Sequence, residues 1–165
     1  MSWPGIALAV LLTAALTLTA CADKENIVNQ LPPTSEEAVQ HYDMVVEALR
    51  GSLIEVAGTG EWSPLDEAET SPGVESAAGA ETVVVHSPVW VLEVSLVDEP
   101  QRSNALATVE AVATEYGFAD AVTYVDEPTE FAVVLADGFG AELRFATSKT
   151  ATTLRYTTGS HPVGG

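Results

Sequence analysis

An uncharged apolar run covers residues 6–20, ends at the only cysteine of the chain, Cys21, and is followed by a polar segment at residues 22–26. A helix needs about 20 apolar residues to cross the hydrocarbon core of a bilayer, and this run is shorter. Its length is typical of the hydrophobic region of a secretion signal. The pattern predicts that residues 1–20 are a signal peptide that is removed, and that the folded part of the chain follows Cys21.

Leu18, Thr19, Ala20 and Cys21 resemble the lipobox of bacterial lipoproteins. The resemblance implies that Leu18, Thr19 and Ala20 are recognised by the lipoprotein signal peptidase and that the Cys21 sulfur carries a diacylglyceryl group. Two acyl chains hold a protein stably on a membrane, whereas a single chain binds only marginally. We therefore predict a lipid anchor on the extracytoplasmic face of the cell membrane. An ordinary secretion signal, or an uncleaved short anchor, is the alternative interpretation.

Residues 21–33 carry little apolar surface and end in Leu31-Pro32-Pro33, a sequence that favours extended, semi-rigid backbone. We interpret them as a lipid anchor and tether. The chain has 165 residues, which is the size of one domain. A single domain is accordingly predicted over residues 34–160, without a disulfide because only one cysteine is present.

The chain is strongly acidic, with 24 Asp and Glu against 6 Lys and Arg and a formal net charge of −18. The six basic residues are scattered along the sequence, whereas nucleic acid and acidic lipid headgroups are bound by clustered cations. This composition argues against nucleic acid as a partner and disfavours anionic partners in general.

Two segments have helical periodicity. In the first, Thr34 is placed to cap a helix and Glu37 to complete the capping box. Apolar residues then recur at steps of three and four as far as Gly58. A second helix is predicted over residues 101–116, ended by Gly117 in a left-handed conformation.

The remaining sequence predicts strands and loops. Residues 60–81 are rich in Gly, Pro, Ser and Glu and contain no basic residue, so we expect a long acidic loop. β-rich runs follow at 82–85 and 89–97, and residues 121–158 form a meander of alternating strands. The predicted fold class is α+β, an antiparallel sheet of about four to five strands with the two helices packed on one face.

This order of elements is similar to that of the LppA-like lipoproteins of mycobacteria and other actinobacteria. The similarity comprises the lipobox cysteine, a Glu-rich start to the first helix, a Pro/Gly loop, a strand, and a helix ending at Glu115-Tyr116-Gly117 before hairpins. The similarity implies that the protein is located in the cell envelope and that it shares the fold of the family. The family has no assigned chemistry, so the resemblance implies no catalytic residue.

Residues able to carry catalysis are sparse. The three histidines, His41, His86 and His161, are far apart, and neither a nucleophile-elbow motif nor a zinc-protease motif is present. Ser87 follows His86, but neighbours in a strand point to opposite faces. Glu37 and His41 have the spacing to share a helix face and could start a metal site, although an ordinary surface pair is the favoured interpretation. We predict no catalytic residue, no metal site and no cofactor.

Aromatic residues leave two interpretations open. Trp62 and Trp90 are candidates for ligand contact, and packing into the domain is the alternative for both. We predict a non-enzymatic module that binds an envelope protein or a small ligand through the open face of the sheet or the acidic loop. The alternative is an enzyme or metal-binding protein that uses clustered carboxylates and a histidine, which a histidine within about 3 Å of a carboxylate in a cleft would favour.

Overall fold

The structure, a computed structural model, describes residues 33–76 and 79–164. The predicted signal peptide, Cys21 and all of the tether before Pro33 lie outside these ranges. Of the helices in the described ranges, none has the length and hydropathy needed to span a membrane.

The first helix, α1, is Ser35–Ala57 and begins with the predicted capping box. The Glu37 N–H donates to Thr34 Oγ1 at 3.3 Å, and the Thr34 N–H donates to Glu37 Oε2 at 2.9 Å. The helix ends at Gly58, whose φ of 73° is a left-handed conformation that glycine adopts without strain. Its apolar stripe faces the core through buried Ala38, Tyr42, Val45, Val46, Leu49 and Leu53.

The second helix, α2, is Gln101–Glu115 and is followed by Gly117 at φ 89°. It buries Ala105, Val109 and Ala113 and packs beside α1 over the same core.

Within the described residues the sheet has nine strands and is antiparallel. Its main path runs β1-β4-β8-β7-β6-β5, and β2, β3 and β9 form a branch that joins β8 through β3. The strands are β1 Trp62–Pro64, β2 Glu69–Pro72, β3 Thr82–His86, β4 Trp90–Leu92, β5 Val122–Glu127, β6 Glu130–Ala136, β7 Glu142–Ser148, β8 Thr152–Thr157 and β9 His161–Pro162.

The α+β class, the two helices and the antiparallel sheet agree with the sequence, but the predicted number of four to five strands is wrong. β1, β2 and β9 have only two to four residues each, too few for a recognisable alternation of apolar and polar side chains. Two of them, β1 and β2, lie in the segment 60–81 that was expected to be loop. They are strands because they pair with β4 and β3, which the local sequence does not reveal.

The two faces of the sheet differ in chemistry. On one face Val133, Phe145 and Leu154 lie side by side on β6, β7 and β8 and belong to the core under the helices. The opposite face, here called the open face, contributes no residue to that core. Its central residues on β6, β7 and β8 are Ala132, Val134, Arg144, Ala146, Thr153, Arg155 and Thr157.

Replacing Thr34 with alanine is expected to lower the free energy of unfolding by about 1 kcal/mol, because the cap of α1 loses its side-chain acceptor. The hydrogen bonds from Thr34 hold the pKa of Glu37 below its ordinary value of 4.5. The stability that the ionised Glu37 carboxylate adds to the cap is therefore fully present above pH 4.5 and is lost as the pH falls through the lowered pKa. Urea unfolding at neutral and acidic pH measures both effects. The exposed helical Thr114→Ala is the control, and an equal loss there would refute the assignment.

Candidate functional site

A groove of about 330 Å³ lies between α1 and the sheet, and we call it the α1 groove. It arises where Pro88 separates β3 from β4. The two strands pair with successive parts of β8 and do not form one continuous strand. Val39, Val46, Val85 and Pro88 give it apolar walls. The remaining lining residues are Asp43, Glu47, Arg50, Ala68, Trp90 and Tyr156.

Arg50 and Trp90 form one end of the groove. The Arg50 guanidinium carbon lies 3.8 Å from the centroid of the Trp90 ring, a cation–π stack. Arg50 Nη1 donates to Glu47 Oε2 at 3.0 Å, while its Nε is buried without an acceptor. Trp62 fixes the backbone of the same arginine, since its indole N–H donates to the Arg50 carbonyl oxygen at 3.0 Å. Trp90 thus stacks on the guanidinium, and Trp62 fixes the backbone of the same residue.

A pair of tyrosines organises the other end of the groove. The Tyr156 hydroxyl donates to Asp43 Oδ1 at 2.8 Å, and the Tyr42 hydroxyl donates to the Asp137 carboxylate in the β6–β7 turn. Burial, and then the adjacent carboxylates, raise the pKa of both phenols above the ordinary value, so both stay protonated donors. Asp43 is thereby fixed in orientation on the groove wall.

The two tryptophans predicted as ligand contacts take different positions. Trp90 lines the α1 groove. Trp62 is buried at 7% exposure in the core and is not among the groove residues. Ligand contact stays a prediction for both, and Cys21, Leu18, Thr19 and Ala20 lie outside the described residues.

The histidines do not come together. His41 packs edge-on against Tyr42 and Tyr116, with ring centroids 5.2 and 5.8 Å apart. His161 is fully buried with Nδ1 2.9 Å from the Pro33 carbonyl oxygen, which ties the start of the domain to its last strand. Within residues 33–76 and 79–164, no ion pair or hydrogen bond joins a histidine to a carboxylate, and no group of three potential metal ligands occurs.

His86 contacts hydroxyl groups rather than acids. Its Nε2 lies 3.2 Å from Ser71 Oγ, and its Nδ1 lies 3.3 Å from Thr157 Oγ1. Ser87, its neighbour in sequence, donates its hydroxyl to the Pro88 carbonyl and accepts from the Tyr156 N–H. The Ser87 hydroxyl therefore supports the break between β3 and β4.

Sequence reasoning missed Asp43 and Arg50 as groove residues. Both lie beside the apolar stripe of α1, at the edge of the face that carries Val39 and Val46. The signal that could have indicated them is a pair of opposite charges seven residues apart, which places both on the same side of that stripe near the middle of the helix.

A family model for LppA, described as a lipoprotein confined to pathogenic Mycobacterium, matches residues 14–161. The chain belongs to the LppA family. This confirms the resemblance that the lipobox and the order of elements indicated. The match spans both the lipobox and the domain.

Two solved structures share the LppA-family fold of this chain. The lipoprotein LppA of Mycobacterium tuberculosis has a TM-score of 0.63 at 13% identity, with 79% of each chain covered. A DUF4853 family protein of Actinomyces odontolyticus has a TM-score of 0.57 at 11% identity, with 84% of this chain and 73% of that chain covered. At such identities the likeness concerns the fold alone. A comparison with curated proteins gave no match.

Proposed function

We propose that this LppA-family lipoprotein is a binding module, held at the extracytoplasmic face of the cell membrane by a diacylglyceryl group on Cys21, that takes a small amphipathic ligand in the α1 groove. The observation that carries the proposal is the fixed orientation of opposite charges at the two ends of an apolar groove. Trp90 holds Arg50 at one end, and Tyr156 holds Asp43 at the other. Preorganised polar groups around an apolar wall are typical of small-molecule sites.

The charges of the groove favour a ligand with a cationic or hydrogen-bond-donating group. Asp43 and Glu47 are both acceptors, and the single guanidinium is already engaged by Glu47 and the Trp90 ring. The strongly negative net charge of the chain adds long-range attraction for cations. The apolar part of the ligand would lie against the valines and Pro88, and a volume near 330 Å³ suits a molecule of modest size.

We propose binding rather than catalysis, because no histidine, serine or cysteine lines the α1 groove. Its one aspartate already accepts a hydrogen bond from a tyrosine that stays protonated. This arrangement can orient a ligand by charge, and it offers neither an activated nucleophile nor a base–nucleophile pair.

Phenethylamine is the probe that tests the groove, with phenylacetate as its anionic counterpart. In saturation-transfer NMR with the full chain, phenethylamine is expected to receive signal from the protein and phenylacetate to receive much less. Asp43→Asn should weaken phenethylamine binding about tenfold, since it removes the charge but keeps an oxygen that can accept from Tyr156. Trp90→Ala should weaken it as well.

Asp120→Asn is the matched control, because Asp120 is exposed and outside the groove. Equal binding of the two probes, or phenethylamine binding that survives Asp43→Asn unchanged, would rule out the proposed ligand chemistry.

A further inference from the structure

Two arginines stand directly opposite each other on the open face. Arg144 on β7 and Arg155 on β8 are register partners, so their side chains leave the same face of the sheet. Like charges at directly opposed positions destabilise a strand pair. The chain has only 6 basic residues against 24 acidic ones, and two of the six occupy this one pair of positions. The Arg144–Arg155 pairing therefore lowers the stability of the sheet, in a chain where acidic residues far outnumber basic ones.

The two arginines are not equally neutralised. Arg144 donates to Glu142 Oε2 at 2.7 Å, in a pair whose side chains are 51% and 46% exposed. Arg155 has no carboxylate within salt-bridge distance in the described part of the chain, and its Nε is buried with no hydrogen-bond acceptor. An exposed pair such as Glu142–Arg144 exchanges readily with a competing anion. At the centre of the open face, the Arg155 guanidinium is thus without a carboxylate partner, and the neighbouring Arg144 guanidinium can exchange Glu142 for another anion.

The surroundings of the pair suit an anion with an organic part. Thr153 and Thr157 flank Arg155 on its own strand and supply hydroxyl groups to the same face. Tyr124 is two residues along β5 from Val122, whose register partner is Val134, the neighbour of Arg144. The Glu142 carboxylate, and to a smaller extent the Tyr124 phenol, raise the pKa of Arg144. Tyr124 is 56% exposed. An open aromatic ring therefore lies on β5, two strands from Arg144.

Apart from Glu142, which pairs with Arg144 at the centre, the acidic residues of the same face lie at its periphery. Val134 is the register partner of Arg144 on β6. Glu130 is four residues from Val134, so the two residues are about 13 Å apart along the strand. Glu69 lies beyond β8, opposite His86 on the outer branch of the sheet. Charges farther apart than about 8 Å are largely screened at physiological ionic strength. The negative net charge of the chain consequently does not exclude an anion at this position.

We propose that the open face binds an organic phosphate monoester, with the phosphate between Arg144 and Arg155 and the organic part against Tyr124 and Val134. A phosphate monoester has close to two negative charges at neutral pH and three acceptor oxygens, which match two guanidinium groups. A carboxylate has one negative charge, so it balances the charge of only one guanidinium. This site is separate from the α1 groove, because it lies on the other face of the sheet and uses different residues.

Calorimetric titration of the full lipidated chain in a non-ionic detergent tests the site, with phenyl phosphate and benzoate as probes. Phenyl phosphate is expected to bind about tenfold more tightly than benzoate, and its affinity should fall as salt is added. Arg144→Gln and Arg155→Gln should each weaken phenyl phosphate binding about tenfold. Arg102→Gln is the control, because Arg102 is paired with Glu99 and Asp126 on the helix side of the sheet.

Thermal unfolding without ligand separates loss of binding from loss of folding. Arg155→Gln removes the repulsion across the strand pair, so its melting temperature should equal or exceed that of the parent chain while phenyl phosphate binding is lost. Equal affinity for the two probes, or an Arg155→Gln variant that binds phenyl phosphate as the parent does, would overturn the proposal. Binding to phosphatidylglycerol vesicles with no binding of phenyl phosphate would overturn it too.

Discussion

Cells that express the Cys21→Ser variant are expected to yield a protein without any fatty-acid label, whereas the parent chain takes up labelled palmitate. Cys21 is the only cysteine, so the chain has no second thiol that could carry a diacylglyceryl group. The variant should also accumulate as the longer precursor, because the resemblance to the lipobox implies cleavage only before the modified cysteine. Labelling followed by gel electrophoresis and intact-mass measurement reports both results.

Fractionation into membrane and soluble protein is a weaker test of the same residue. The apolar run at residues 6–20 stays attached to an uncleaved precursor and can hold it at the membrane without a lipid. Ala22→Ser is the matched control, since it alters the adjacent residue and leaves the sulfur in place. Label on the Cys21→Ser protein, or a parent chain that takes up no label, would exclude lipidation at this cysteine.

The elements that the sequence predicted well are those with a repeated local signal. In α1 the apolar stripe recurs over about four turns, and the capping box and Gly58 mark the two ends of the helix. In the meander, β6, β7 and β8 are each six or seven residues long and alternate clearly. Such segments carry enough residues for the period of the pattern to be measured.

The elements that were missed depend on their partners. β2 is almost entirely exposed, and β1 consists of Trp62, Ser63 and Pro64, so neither has an apolar alternation of its own. Val94, Leu96 and Val97 are apolar but lie outside β4. There the Leu96 N–H donates to the side-chain hydroxyl of Thr147 on β7 instead of to a backbone carbonyl. In these segments tertiary contacts decide the structure and local propensity does not.

The candidate sites were predictable only in part, for a related reason. Trp90 could be singled out as an aromatic residue on a strand face. The contact between Asp43 and Tyr156 joins residues 113 positions apart, and no spacing in the sequence indicates it. Arg144 and Arg155 are separated in the sequence and were therefore described as scattered cations. The β7–β8 register makes them neighbours in space. A cation count therefore describes the long-range field of this protein but not its local surface charge.

A second large effect is expected at Gly159, which has no room for a side chain. A Cβ atom at this position would lie 2.0 Å from the Phe139 carbonyl oxygen in the β6–β7 turn. The turn cannot easily move, because Asp137 accepts the N–H groups of Phe139 and Ala141, both at 2.8 Å, and is also bound by Tyr42 of α1. Gly159→Ala is therefore expected to lower the free energy of unfolding by about 2 kcal/mol or more, measured by urea denaturation.

Gly51→Ala is the matched control, and it should act in the opposite direction. Gly51 lies inside α1, and a Cβ atom there meets nothing within 4 Å. Alanine restricts the unfolded chain and favours the helix, so this variant should be more stable than the parent by about 0.5 to 1 kcal/mol. Because the residue change is the same, opposite signs would assign the effect at Gly159 to the contact with the turn. A Gly159→Ala variant as stable as the parent would show that the turn is free to shift, and with it the Asp137–Tyr42 link to the helix that forms the wall of the groove.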